Sequence, residues 1–353
     1  MTTSTSLLAY VTNAQDNGSS LGVGSVIPVD LAKETALTPI PVYGRSMSDG
    51  SGTNAIIVTS DGKTAFVTNE FTNSPAGSVS KIDLASGNIL WSITVGAEPV
   101  DIEFVPHTKE EWAWVANYAG KSITTVNLTK GVVGTTIPVP GAGPNTVAFT
   151  PDGTKCYVAN WQTDNPAGSS VTPIQVTGNG ASGTVQPSIA VGLNPNWIAI
   201  TRDGTTAYVA NKGSSSITPI DVLTNTPGAT IALPGPPIQI QLSPDGKLAY
   251  IAIAGSSIDA VVPMDLTTNP ATVGSAIDLA KGAQPHWIAF TPDGAKAYIV
   301  GNGNGTLTPI TVKGNVLGTP ITVSADPAAD ILDIAIVASL QGPRKGAAQN
   351  KAR

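Results

Sequence analysis

Seven copies of one short strand predict an all-β fold, a seven-bladed β-propeller with four antiparallel strands per blade. Three observations carry it. First, AYVTN at Ala9–Asn13 returns as AFVTN from Ala65, AWVAN from Ala113, CYVAN from Cys156, AYVAN from Ala207, AYIAI from Ala249 and AYIVG from Ala297. Its aromatic residue (Tyr10, Phe66, Trp114, Tyr157, Tyr208, Tyr250, Tyr298) recurs every 42 to 56 residues, a blade period rather than that of a helical repeat. Second, a tight turn precedes most copies. Third, the two chain ends are complementary fragments of one repeat.

Each repeat opens with an apolar run, as in Thr146–Phe149, Trp197–Ile200 and Trp287–Phe290. The turn that follows is Pro151-Asp152-Gly153, Arg202-Asp203-Gly204, Pro244-Asp245-Gly246 or Pro292-Asp293-Gly294, with Ser60-Asp61-Gly62 as a version lacking the proline. Proline presets φ, aspartate bonds its own backbone and glycine supplies the left-handed residue. The aromatic strand comes next, then a polar loop, then a third strand such as Ile217–Val222 and a fourth rich in Thr, Ile and Val, such as Thr230–Leu233. Four short strands with turn residues between them form an up-and-down blade. The third strand carries a proline in five copies (Pro28, Pro173, Pro219, Pro263, Pro309), which removes a backbone donor and predicts a bulge or an unpaired position.

Tyr10 arrives with no apolar strand or Asp-Gly turn before it, and Ile331–Ala338 matches an opening strand with no aromatic strand after it. The last blade therefore takes its innermost strand from the C-terminus and three strands from the N-terminus, which leaves no free seam. Residues 1–340 form one domain, and 341–353 a disordered, polar and basic tail.

Composition agrees with a turn-dense β protein: 37 glycines, 28 prolines and only 12% charged residues. A net charge of −6 without a long basic run argues against nucleic acid as a partner. No apolar run reaches membrane-spanning length. The N-terminus lacks a basic region and a long enough apolar stretch for a signal peptide. The protein is then cytoplasmic, or the sequence is that of an exported protein whose signal has been removed. The single cysteine, Cys156, excludes an internal disulfide and reads as a small buried hydrophobe. A monomer without cofactor is expected.

The YV(T/A)N strand and its Pro-Asp-Gly turn make the chain resemble the YVTN-repeat family of seven-bladed propellers, in the wider group of lactonase-like propellers, over about Leu7 to Ala338. Blades are numbered from the Phe66 repeat as blade 1 to the Tyr298 repeat as blade 6, with the composite blade as 7. Blade 2 departs from the pattern with Pro106-His107-Thr108-Lys109-Glu110-Glu111 in place of the turn; blades 5 and 6 depart at Ile253 and Gly301, where others carry Asn. The resemblance implies the fold, and a protein commonly exported or surface-associated, often without assigned chemistry. Phosphogluconolactonase-type lactonases share the architecture, but no active-site motif transfers. Streptogramin lyases need paired histidines, which this chain does not supply.

Loops before the first strand and after the second share one face, around the mouth of the central channel. There the sequence places a ring of Asn54, Asp101, Asn145, Asn196, Gln239, His286 and Asp333, with Glu103 and Gln241 deeper on the same strands. Convergent polar groups at a concave site are the expected place for a ligand. His286 in blade 6 faces blade 7, so an imidazole–carboxylate pair with Asp333, or Asp101 in that role, would act as general base and acid. The competing reading is that His286 fills the slot of Asn145 and Asn196 and only bonds a neighbouring loop. Trp161, Trp197 and Trp287 flank the same face, as stacking surfaces for a ligand or as packing between blades. Long loops at Ala14–Ser25, Glu70–Ser78 and Trp161–Ser170 are where binding is usually grafted. His107 lies on the opposite face, and two separated histidines with one buried cysteine offer no zinc site. The absence of a recognisable catalytic constellation favours a non-catalytic binding or scaffold propeller recognising a protein, glycan or small ligand. The alternative is a metal-independent lactonase, lyase or isomerase using His286 with Asp333 or Asp101. A structural surface-array component is a third reading.

Overall fold

The structure is a computed structural model and describes residues 6–14, 24–42, 51–71, 75–140, 143–161, 169–324 and 330–339. It contains seven antiparallel sheets, one for each aromatic repeat. The innermost strands are Ser51–Val58, Pro99–Phe104, Gly143–Phe149, Pro195–Ile200, Pro237–Leu242 and Pro285–Phe290 in blades 1 to 6, and Ile331–Ser339 in blade 7. The closure predicted from the chain ends is present. Ile331–Ser339 pairs antiparallel with Ser6–Asn13, setting Tyr10 opposite Ala335.

Burial of the aromatic beat follows from the ring. Each sheet is covered on both faces by its neighbours, so its second strand is buried and mostly apolar up to the polar residue that ends it, such as Asn117, Asn160 or Asn211. Trp114 is fully buried, meets Phe149 of blade 3 edge to face at 5.1 Å, and donates its indole N–H to Gly180 O at 2.8 Å. Tyr157 and Tyr250 likewise reach forward, donating to Asn225 Oδ1 (2.6 Å) and Asn315 Oδ1 (2.5 Å) in the next blade. Cys156 is buried in the same cluster as Trp114 and Phe149, and that burial pushes its thiol well up.

The third-strand prolines account for a difference between blades. Blades 1 and 2 lack this proline and have continuous outer strands, Ile89–Thr94 and Val132–Pro138. In the other five blades the outer strand is split into two short pieces, such as Thr226–Pro227 and Ile231–Ala232 around Pro219. The missing N–H opens the ladder there, while the proline carbonyl still accepts a bond, from Gly228 N at 2.7 Å in blade 4.

The Asp-Gly turns share a hydroxyl–carboxylate lock. Thr59, Thr150, Thr201, Ser243 and Thr291 donate to Asp61, Asp152, Asp203, Asp245 and Asp293 at 2.5–2.7 Å. The same aspartates accept the N–H two residues on, and the turn glycines sit at φ 67–71°, where a Cβ is strained. Blade 2, without this turn, places His107, Lys109 and Glu110 at positive φ, and the His107 ring bonds Pro151 O at 2.8 Å.

Of the long mouth loops singled out from the sequence, residues 15–23, 72–74 and 162–168 lie outside the described residues, as does the tail from Gln341. No helix among the described residues is long and apolar enough to cross a membrane.

Candidate functional site

A β-bulge near the start of every innermost strand sets the geometry of the mouth. The expected single ring of polar residues is corrected by it into two tiers, one residue apart. Asn54, Asn145, Asn196 and His286 occupy the bulged position, whereas Asp101, Gln239 and Asp333 occupy the next. A bulge turns successive side chains away from strict alternation, and nothing in the residue spacing announces it.

The bulged tier bonds forward, from each blade to the next. Asn145 Nδ2 donates to Asn196 O (2.8 Å), Asn196 Nδ2 to Ile238 O (2.6 Å) and Asn54 Nδ2 to Pro99 O (3.3 Å). His286 does the same: its Nδ1 lies 3.1 Å from Leu332 O. A carbonyl only accepts, so Nδ1 carries the proton and the neutral ring presents Nε2 as an acceptor. No protein partner of Nε2 occurs among the described residues.

The second tier staples inner strands together. Asp101 accepts from Val147 N (2.8 Å) and Ile102 N (2.9 Å), and Asp333 from Ile56 N (2.8 Å) and Ile334 N (2.6 Å). Gln239 Oε1 takes Ile288 N at 2.6 Å. Both oxygens of each aspartate are therefore committed to backbone donors, and the expected His286–Asp333 contact is replaced by the bond to the Leu332 carbonyl. Burial raises Asp101 to about 7 and Asp333 to about 8 against the lowering effect of those bonds. Glu103 is also raised, by burial and then by Asp101 and Asp333. The residue is nonetheless solvent-exposed, so the surrounding ring encloses it without sealing it. Gln241 accepts a long bond from Gln239 (3.5 Å) on the same strand.

Around His286 the mouth is aromatic and charged. The imidazole stacks on Trp287, centroids 5.5 Å apart, and Trp287 meets Trp197 edge to face at 4.5 Å. These tryptophans belong to blades 4 and 6, which are not neighbours, so their rings meet on the channel side of blade 5. The expected packing between blades is thus joined by a contact across the channel. His286 is held below its usual 6.5, chiefly by burial and also by the Lys212 ammonium, against the raising effects of the Leu332 bond and Asp330. Asp330 is itself gripped by the Asn302 amide.

Trp161 stands one position past the repeat asparagine of blade 3, and equivalent positions supply residues the sequence reasoning passed over. Tyr118, Lys212 and Asn302 are anchored alike: their N–H groups donate to Glu98 O (2.7 Å), Asn194 O (3.0 Å) and Gln284 O (3.1 Å). Those acceptors are held at φ 45–50° just before a proline. Lys212 Nζ lies 5.4 Å from the Trp161 ring centroid, and Tyr118 meets Trp161 at 5.8 Å. At the blade 1–2 rim, Glu70 accepts from Asn54 (2.9 Å) and is hydrogen-bonded to Glu98, which burial and the Glu70 charge raise. The signal for Glu70, Tyr118, Lys212 and Asn302 was the position after the repeat asparagine, or after Gly301 in its place, already used for Trp161.

Among the described residues no group of three His, Cys, Asp or Glu side chains is arranged to hold a metal. Two clefts, of about 250 and 190 Å³, lie on the opposite face, beside Tyr298 and Thr291 and beside Thr59 and Lys109. They are remote from His286.

Residues 162–329 match the model of the lactonase, 7-bladed beta-propeller family. Among solved structures, a candidate 6-phosphogluconolactonase from Bacteroides fragilis is 20% identical, with a TM-score of 0.74 over 96% of this chain and 99% of that one. The periplasmic gluconolactonase of Pseudomonas aeruginosa is 17% identical, with a TM-score of 0.73 over 94% and 99%. Kuenenia stuttgartiensis hydrazine synthase is 18% identical, with a TM-score of 0.67 over 78% and 88%. At these identities the likeness speaks for the fold, which serves more than one chemistry. No curated protein matches the chain significantly. The expectation of a non-catalytic binding or scaffold propeller is overturned by the lactonase family match over residues 162–329, with which the enzyme alternative accords better.

Proposed function

We propose that the protein hydrolyses lactones at the channel mouth, with His286 as general base. The observation that carries this is the imidazole fixed by Leu332 O with Nε2 left open beside Trp287. The lactonase match and the gluconolactonase and 6-phosphogluconolactonase names of its fold neighbours supply the reaction class and point to sugar lactones.

In the reaction, Nε2 takes a proton from water as its oxygen bonds to the lactone carbonyl carbon, giving a tetrahedral oxyanion. Collapse of that oxyanion breaks the acyl C–O ring bond, and the imidazolium returns the proton to the departing alkoxide. The product is a hydroxy acid. Burial keeps His286 neutral at pH 7, as the first step requires. Asp101 and Asp333 act as staples in this reading, since protonation or rotation of either costs a backbone bond. The test is a pH-stat assay of glucono-δ-lactone, 6-phosphogluconolactone and a simple aliphatic δ-lactone against their spontaneous opening. Acceleration of at least one sugar lactone is expected; rates equal to the uncatalysed ones for all three refute the proposal.

A further inference from the structure

Two donors at the mouth have no acceptor among the described residues. The indole Nε1 of Trp161 is buried without a hydrogen-bond partner. The Lys212 ammonium sits over the Trp161 ring, 5.4 Å from its centroid, half-buried. The ion pairs among the described residues are Lys33–Asp30 and Lys63–Asp61, and neither includes Lys212. Burial alone lowers its pKa, with no carboxylate opposing the shift.

An unpaired buried donor and an uncompensated half-buried cation both carry a desolvation penalty, which an anionic acceptor relieves. The chain holds both rigidly. Lys212 N and Gly213 N donate to Asn194 O and Leu193 O, and the Tyr118 ring braces Trp161. We infer that Lys212 and Trp161 form an anion subsite that takes the carboxylate of a small sugar acid.

Charge and donor number select the anion. One ammonium and one neutral N–H match a carboxylate's single charge and two oxygens. A phosphate dianion would leave one of its two charges unmatched by this single cation. The Trp161 and Tyr118 rings offer an apolar wall for the carbon chain of the acid. The inference borrows from the proposed hydrolysis only the idea that a sugar acid is formed nearby. Lys212 acts on the His286 imidazole, so an acid left there by ring opening lies within electrostatic reach of the subsite. The class of ligand is therefore the product, and the consequence is product inhibition.

Isothermal titration calorimetry on the full chain tests this, with sodium gluconate, 6-phosphogluconate and neutral glucose as probes. Gluconate is expected to bind wild type, and Lys212→Met to weaken it about tenfold or more, the effect of losing a charge-assisted bond. Lys212→Gln, which keeps a donor, falls between. Trp161→Phe, which keeps the ring and removes only the N–H, weakens binding several-fold, and 6-phosphogluconate binds no tighter than gluconate. The inference is overturned by absent gluconate binding, by binding unchanged in Lys212→Met and Lys212→Gln, or by 6-phosphogluconate binding about tenfold tighter than gluconate. Lys212-dependent gluconate binding without any lactone hydrolysis would uphold the subsite and sink the proposed reaction, so the two fail separately.

Discussion

His286 stands in a slot that other blades fill with asparagine, and its bond to the next blade's carbonyl is the one Asn145 and Asn196 make. That equivalence names the substitution that separates fold from chemistry. His286→Asn keeps a donor for Leu332 O, so its unfolding free energy should stay within about 0.5 kcal/mol of wild type, as for tolerated replacements, while lactone hydrolysis is lost. Asp333 behaves in the opposite way. Asp333→Ala strips the acceptor from two buried N–H groups and should cost about 2 kcal/mol in urea unfolding. Glu103 accepts no such bond but is raised by burial and the neighbouring carboxylates. A raised carboxyl holds its proton more tightly in the folded state. The stability it supports is full below its unfolded pKa and falls as pH rises through the folded one. Glu103→Gln should therefore match wild type at pH 4 and melt higher at pH 9; equal melting points at pH 9 would mean that channel water screens the charge.

The repeating elements were legible because each one answers a local physical demand. The hydroxyl–carboxylate lock requires Thr or Ser two residues before the Asp of each Asp-Gly turn, and its bonds hold all five turn aspartates below the usual carboxylate range. Asp203→Ala should cost about 1 kcal/mol, a typical net bond, and the difference from wild type should vanish as pH falls through the lowered carboxyl pKa. The proline of the third strand predicted an unpaired position, and the split outer strands are that position. The mouth was less legible. A bulge displaces Asp101, Gln239 and Asp333 from the tier of His286, and a one-residue register change leaves no mark on sequence spacing. Tyr118 and Lys212 share Trp161's place after the strand asparagine, and Asn302 the same place after Gly301, yet their meaning depends on the left-handed residues that anchor them. At Gly301, a departure from the repeat, the Asn304 amide oxygen occupies the space a Cβ would take and accepts a hydrogen bond from Thr306 Oγ1 at 2.7 Å.

The ring as a whole is closed by few residues at one seam. Thr12 Oγ1 donates to Asn54 O at 2.8 Å and accepts Asp333 N at 3.0 Å, next to the Asp333–Ile56 bond. A chain ended after Asp330 loses the inner strand of blade 7 and exposes the edges of blades 7 and 1. It should show no cooperative thermal transition by circular dichroism; a native-like melt would mean that the ring tolerates an open blade. The closed ring also gives function its address, since at the mouth side chains from non-adjacent blades meet, as Trp197 and Trp287 do. The decisive experiment is the pH–rate profile of glucono-δ-lactone hydrolysis, corrected for spontaneous opening, for wild type and His286→Asn. Because burial lowers His286, wild-type activity should hold below pH 6.5 and fall only on further acidification, with His286→Asn folded and at the background rate. An unchanged profile in folded His286→Asn would remove His286 from the chemistry and contradict the assignment of the mouth as the lactone-opening site.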